Sequence, residues 1–246
     1  MLSSSTLSSR QLIQYGAAWL FFALFGVQLL LVLVSGELGW WSLLAAVLAM
    51  YLADALSGIA HFILDYTPTP TDRGLKELFY FEGSKGSDHY SCQRADAMKR
   101  INAFEEMVFD FKIHHISPGT LGRRSFLRLT LPVIYFSGLP MSFISLLLYS
   151  QGWISTEWFI FLSFLTLGTT ICQYAHACAH KRDVPVIPAV LQRLGLFVTA
   201  HKHHSHHLNL GQDFCMLNGW SNPLVNRIFQ MCLISGWIEK DNLTPK

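Results

Sequence analysis

Histidine is the residue type whose number and spacing in this chain point most directly to chemistry. Eleven histidines are present, and His176 and His180 are four residues apart, which on a helix places both imidazoles on one face, as in metal chelation. The candidate metal ligands are His61, Asp65, His114, His115, His176, His180, His203, His206 and His207. Because eight imidazoles and one carboxylate exceed the roughly four to six ligands of one ion, the sequence predicts two metal ions.

Carboxylates lie close to several of these histidines in the sequence. On a helix, Asp54, His61 and Asp65 fall within about 40° of one another, so that one face presents all three side chains. The ring nitrogen that does not bind metal usually donates a hydrogen bond to an acceptor. The candidate acceptors are Asp54, Asp65, Asp183 and Asp213.

Two choices among the histidines stay open. His204 is an alternative to His203 as a ligand, because a loop and a helix in this stretch would turn different imidazoles inward. We expect His89 and His201 to contribute less than the residues of the repeated patterns.

The patterns that other metal sites require are missing from the sequence. No histidine is followed by Glu, which excludes the His-Glu-x-x-His motif of zinc peptidases. The five cysteines form no Cys-x-x-Cys pair, and a b-type haem needs histidines facing each other at mid-span rather than in surface pairs. An imidazole-rich site beside a bilayer therefore favours a binuclear iron centre that uses oxygen.

The elements that must position these residues are membrane helices. Only 14% of the residues are charged and 51% are hydrophobic, which excludes a disordered or nucleic-acid-coating protein. Long, nearly uncharged segments predict four spans at 12–34, 40–64, 129–150 and 158–180. The predicted fold is an all-α integral membrane bundle, in one domain over 1–246. A cleaved signal peptide is the alternative for the first span, and a re-entrant hairpin is the alternative for the third, which carries Pro132, Gly138 and Pro140.

The basic residues predict the orientation of the spans. In the four-span topology all eighteen Lys and Arg residues fall on one side, which is expected to be cytoplasmic. The loop 66–128, the histidine-rich region 181–246 and both termini are then cytoplasmic, in a bacterial inner membrane or the endoplasmic reticulum. Every histidine lies on that side, where the basic residues Lys112, Arg123 and Arg124 are candidates to hold a phosphate headgroup.

The ordered motifs of this chain resemble the plasmanylethanolamine desaturase (Kua) group of membrane lipid desaturases, over roughly residues 51–228. The motifs that carry the resemblance are Ala53-Asp54-x-x-Ser57-Gly58-x-x-His61-x-x-x-Asp65, Phe111-x-x-His114-His115-x-x-Pro118, His176-x-x-x-His180, His203-x-x-His206-His207 and Cys215-x-x-x-Gly219-Trp220-x-Asn222. The chain departs from the group's pattern in a longer 66–112 loop and in Cys178, where the group has Trp.

The resemblance implies an integral-membrane enzyme that uses two irons, oxygen and externally supplied electrons to dehydrogenate a lipid chain. In the best-known branch the product is the vinyl ether of a plasmalogen, made from an alkyl ether phospholipid. The electron donor implied is of the cytochrome b5 or ferredoxin type. The alternatives are an acyl-lipid desaturase or a hydroxylase on the same scaffold, and, from other classes, a histidine-rich metal transporter or a scaffold that binds no metal.

Overall fold

The computed structural model describes residues 8–245, so both chain termini and the outer bounds of the predicted 1–246 domain lie outside the described residues. The described chain is helical, without strands, in agreement with the predicted fold class. Its α-helices are α1 Ser9–Ser35, α2 Trp40–Tyr66, α3 Leu75–Phe79, α4 Asp88–Met98, α5 Ala103–Ile116, α6 Pro118–Gly122, α7 Phe126–Val133, α8 Leu139–Ser150, α9 Thr156–Ala179, α10 Val186–Arg193, α11 Ala200–Leu208 and α12 Asn222–Ile234.

Within the described residues, four helical stretches are long and apolar enough to cross a membrane. They are Gln11–Ser35, Trp40–Tyr66, Phe126–Ser150 and Thr156–Ala179. At 1.5 Å per residue, even the 24-residue stretch is about 36 Å long, enough to cross roughly 30 Å of hydrocarbon. The predicted membrane helical bundle is confirmed.

The third stretch is a helix with a π-helical segment rather than a re-entrant hairpin. α7 continues through the π-helix Ile134–Gly138 directly into α8. Pro132 and Pro140 each lack a backbone N–H and interrupt the regular hydrogen-bond ladder, and a π turn is a common way for a helix to continue through such an irregularity. The kink that the sequence predicts is therefore accommodated inside one spanning helix.

Small residues let α2 and α9 pack closely along their length. A Cβ atom added at Gly168 of α9 would lie 2.7 Å from the Cβ of Ala53 in α2. Close backbone approach through small residues is a common means of helix association in membranes. α1 is joined to α8 by the buried Gln28, whose amide donates to the Ser145 hydroxyl at 2.9 Å.

The predicted loop 66–128 is instead folded into α3 to α6. Its small core is formed by buried residues of α3, α4 and α5, namely Leu75, Leu78, Phe79, Tyr90, Ala97, Phe109 and Ile113. Asn102 caps α5, and its side chain accepts from the backbone N–H groups of Phe104 and Glu105. His114 and His115 therefore lie on the last turn of a helix, not in a loop as the sequence suggested.

Candidate metal centre

The candidate ligands come from the ends of four helices that converge at one end of the bundle. α2 supplies His61 and Asp65 from its last two turns, and α5 supplies His114 and His115. α9 supplies two histidines from its last turn and C-cap, and α11 supplies three from a single short helix.

A close backbone approach holds the end of α9 in place. A Cβ atom at Gly122 of α6 would lie 2.6 Å from the His180 carbonyl oxygen, so only glycine fits there without a shift of the chain. The Lys181 ammonium also donates to the Gly122 carbonyl at 2.7 Å. Together these contacts fix the position of the backbone that carries the His180 ring.

Within residues 8–245, two groups of side chains could each hold a metal ion. The imidazole group consists of His114, His180, His203 and His207, and the carboxylate group consists of His61, Asp65, His115 and His206. In each group, one ligand atom per residue lies within 4.8 Å of all the others. The groups adjoin each other, because the ring centroids of His114 and His115 are 4.2 Å apart.

The carboxylate group has the dimensions of a metal coordination sphere. Asp65 Oδ2 lies 3.4 Å from His61 Nε2 and 3.6 Å from both His115 Nε2 and His206 Nε2. The two latter nitrogens are 3.2 Å apart. These four separations are close to the roughly 3.3 Å between neighbouring ligand atoms of a tetrahedral site whose bonds are about 2.0–2.1 Å long.

His176 lies between the two groups without belonging to either. Its Nε2 is 2.9 Å from His203 Nε2 and 3.3 Å from His180 Nε2, and its ring centroid is 5.3 Å from that of His61. The structure therefore brings all nine predicted ligands together, with His176 in the middle.

Backbone carbonyls, rather than the predicted carboxylates, orient three of the eight imidazoles. His61 Nδ1 lies 2.8 Å from the Phe214 carbonyl oxygen, and His206 Nδ1 lies 2.7 Å from that of Gln212. His114 Nδ1 contacts the Phe111 carbonyl in the same way. Because a carbonyl only accepts, each Nδ1 carries the proton, and the neutral ring leaves the Nε2 lone pair directed into the centre.

Buried polar atoms without partners also support a cation at this place. Among the described residues, His61 Nε2, His114 Nε2 and both carboxylate oxygens of Asp65 are buried and lack a hydrogen bond. A buried, unpaired carboxylate is costly unless it is neutralised or binds a metal. The donor set therefore fits two metal ions.

Burial also favours the neutral imidazoles that bind metal. It lowers the pKa of His180 to about 3 and that of His206 to about 4. Burial likewise places the pKa values of His114, His115 and His203 well below their ordinary value, with neighbouring imidazoles adding to the effect. These rings are therefore neutral at pH 7, in the state that a metal requires.

Asp54 does not hydrogen-bond to a histidine, and the prediction that it orients a ligand is wrong. Its buried carboxylate accepts from the backbone N–H groups of Leu217, Asn218, Gly219 and Ser221, and from the Ser221 hydroxyl. It thereby holds the segment 214–221, whose Phe214 carbonyl orients His61. Its influence on the centre is indirect.

Two of the other predicted acceptors, Asp213 and Asp183, do not contact a histidine of the centre either. Asp213 accepts from the Ser205 hydroxyl at 2.7 Å and pairs with Asn226, so that it braces α11 against α12. Asp183 is exposed on the surface. Sequence patterns do not reveal which backbone carbonyls approach a ring, because the segment 212–214 reaches the centre only through the tertiary fold.

The choice between neighbouring histidines is resolved by burial. His203 is buried in the imidazole group, whereas His204 and His201 are exposed. His89 is exposed too, and its ring contacts Gln93 of its own helix. None of the three belongs to either group within the described residues.

A cavity of about 510 Å³ opens onto the centre. Its lining is formed by His115, Pro118, Ala179, His180, Ala200, His201, His203, His204 and His207. The cavity therefore borders candidate ligands of both groups, namely His115 of the carboxylate group and His180, His203 and His207 of the imidazole group.

The three predicted headgroup residues differ in accessibility. Lys112 is fully buried and its ammonium donates to the Asn242 carbonyl, so the prediction that it holds a headgroup is wrong. Arg124 is paired with Asp110 at 2.5 Å. Arg123 is exposed, and the prediction for this residue stays open.

Comparison with known proteins identifies the family. Residues 99–240 match the family described as the lipid desaturase domain. No curated protein and no solved structure matches the chain. The matched region contains every predicted ligand except His61 and Asp65, and it covers more than half of the chain. This membrane protein with four candidate spans belongs to the lipid desaturase domain family.

Proposed function

We propose that this protein is an oxygen-dependent di-iron desaturase that introduces a double bond into the hydrocarbon chain of a membrane lipid. The observation that carries the proposal is the pair of adjoining ligand groups at the ends of apolar helices, in a chain of the lipid desaturase family. Membership of the family supports a lipid substrate, and the donor set supports redox-active metal rather than a cysteine-ligated structural zinc.

The imidazole group and the carboxylate group would each hold one iron. When bound, the two irons would supply the redox chemistry by which dioxygen is reduced and a saturated chain is oxidised. The protein's contribution is orientation: the carbonyls of Phe214 and Gln212 hold the Nε2 atoms of His61 and His206 toward the carboxylate group. The neutral state of the rings lets the site bind metal at physiological pH.

The overall reaction fixes which reactants are needed. Removing two hydrogens from adjacent carbons gives two electrons and two protons. Reducing dioxygen to two waters takes four electrons and four protons, so two electrons must come from an external donor and two protons from water. We infer a donor of the cytochrome b5 or ferredoxin type, because no haem or iron–sulfur motif occurs in the chain.

For the substrate, we propose an alkyl ether phospholipid that is converted to the vinyl ether of a plasmalogen. Support comes from the resemblance of the ordered histidine motifs to the plasmanylethanolamine desaturase group. The exposed Arg123 would contact the phosphate, and the centre would face the cytoplasm, as the distribution of Lys and Arg predicts. Residues 1–246 would act as one domain.

Expression in a host without desaturases tests this proposal. Cells are fed an alkyl glycerol with a saturated, deuterated chain, and their lipids are analysed by mass spectrometry. We expect a vinyl ether product that has lost two deuterium atoms and is absent from cells expressing His115→Ala. The exposed His89→Ala variant is the matched control and is expected to retain the product. A new double bond only in acyl chains, or a hydroxylated product, would contradict the assigned reaction.

A further inference from the structure

The segment 214–221 and the helix α12 lie beside the membrane-embedded part of α2 rather than above it. Val225 and Phe229 of α12 are buried against a cluster that includes Ala55 and Phe62 of α2. A Cβ atom at Gly58 would lie 2.7 Å from the Cys215 sulfur and 3.2 Å from the Cys215 backbone nitrogen. The chain after α11 therefore returns alongside the span.

The depth of this contact follows from the length of α2. Trp40 and Trp41 are exposed at its start and mark one interface of the bilayer, as aromatic residues commonly do. About 20 residues cross the hydrocarbon, so that the opposite boundary falls near His61. Asp54 then lies about 10 Å inside the hydrocarbon, at seven residues and 1.5 Å per residue from His61.

Asp54 satisfies backbone groups that would otherwise be unpaired in lipid. The segment 214–221 is not a regular helix, and four of its N–H groups donate to the Asp54 carboxylate. The Met216 N–H donates to the Ser57 hydroxyl at 3.0 Å. Irregular backbone occurs at membrane depth only where protein satisfies its polar groups. This explains a buried charge inside a span without invoking ion transport.

The outward face of α12, opposite the side that packs against α2, is mainly apolar. Leu224, Met231 and Ile234 are 43%, 68% and 87% exposed and fall within about 80° of one another on the helix. Trp237 follows at 85% exposed. The exposed Arg227 shares this face, and its long side chain can reach toward lipid phosphates.

We propose that residues 214–221 form a re-entrant segment in the cytoplasmic leaflet and that the outward face of α12 contacts phospholipid. Phospholipid is favoured as the partner because the inner side of α12 packs against a span at hydrocarbon depth, while its outer side continues the apolar surface of the bundle. α12 leaves the hydrocarbon as it proceeds from Val225, opposite Gly58, to Phe229, opposite Phe62 and Tyr66. Ile234 and Trp237 then reach the headgroups. The proposal does not depend on the bound metal or on the reaction.

Spin-label accessibility in lipid nanodiscs tests this placement. The full chain, with Cys92 replaced by Ser and Cys232 by Ala, receives a single nitroxide at position 224, 231 or 234. Collision rates with oxygen, which concentrates in hydrocarbon, are compared with those of a water-soluble nickel complex. The matched controls are position 147, exposed on the spanning helix α8, and position 96, exposed on α4.

We expect the label at 224 to favour oxygen over nickel several-fold, as at position 147, with the ratio falling through 231 toward 234. A ratio at 224 equal to that at position 96 would show that α12 faces water and would overturn the proposal. Dipolar broadening that disappears on dilution with unlabelled protein would show a second copy on this face and would also overturn it. Labelled chains are first checked for metal content and monodispersity against the unlabelled background.

Discussion

The replacement Asp54→Asn should destabilise the protein strongly although it removes no candidate ligand. One carboxylate oxygen accepts from three backbone N–H groups, and the other accepts from the Ser221 N–H and hydroxyl. Asparagine replaces one of these oxygens by a donor, so that at least two buried hydrogen bonds are lost. Hydrogen bonds to a charged group contribute roughly 1.5–3 kcal/mol each, which predicts a loss of about 3–6 kcal/mol.

This loss is a large part of the total stability of a typical protein, which is roughly 5–15 kcal/mol. In a chain of this size it corresponds to a decrease in Tm of about 10 °C. Thermal unfolding in nanodiscs, followed by circular dichroism, measures the shift. Ser57→Ala is the matched control, because it removes only neutral hydrogen bonds, one accepted from the Met216 N–H and one donated to the Asp54 carbonyl, and should lower stability by about 1–3 kcal/mol.

A Tm of Asp54→Asn within about 2 °C of the wild type would show that these hydrogen bonds do not stabilise the fold, since so small a shift corresponds to less than about 1 kcal/mol. Iron content separates this account from the idea that Asp54 orients a ligand directly. The folded fraction of the variant should keep its metal, because Asp54 contacts the segment 214–221 and not a histidine ring.

Three further predictions concern the centre itself. In metal-free protein, Tm should fall as the pH drops below about 6.5. Burial lowers the pKa of the clustered histidines, to about 3 in His180 and about 4 in His206, so that the unfolded chain binds more protons than the folded chain. A Tm that stays constant from pH 7 to 5 would contradict this. Gly122→Ala should displace His180 and remove about one metal ion per chain, as measured by metal analysis. In the control Gly119→Ala, the added Cβ meets only the flexible Arg123 side chain, so this variant should keep both metal ions. His115→Ala should lower the metal content and His201→Ala should not, and equal losses would argue against the two groups described above.

Much of the bundle could be predicted from the sequence because lipid imposes simple requirements on a helix. Length and the absence of charge located the four spans, although Pro132 and Pro140 left the third one ambiguous. The π-helix that accommodates them depends on packing against neighbours such as Phe21, which comes within 3.3 Å of a Cβ placed at Gly138. Packing of this kind is not encoded in local periodicity.

The grouping of the histidines was only partly predictable. Spacing of four residues identified His176 and His180 correctly as neighbours on one face, but it could not divide nine residues into two groups. That division arises from the way α5 and α11 meet the ends of α2 and α9. His114 and His115 are adjacent in sequence yet belong to different groups.

The errors share one physical cause, which is that long-range backbone contacts are invisible in a motif. Asp54 was interpreted from the helix face that it shares with His61, as a partner of histidine, and Lys112 from its charge, as a binder of phosphate. In the fold each is buried and bonded to backbone far away in the chain, at 217–221 and at Asn242. A buried charge in a membrane protein can therefore serve the backbone rather than a ligand.

Metal analysis of the anaerobically purified protein decides whether the centre holds two irons. We expect about two irons per chain, with Mössbauer and magnetic measurements showing that they are coupled, since the imidazole and carboxylate groups adjoin each other. One zinc per chain, or a protein that folds with no stoichiometric metal, would contradict it.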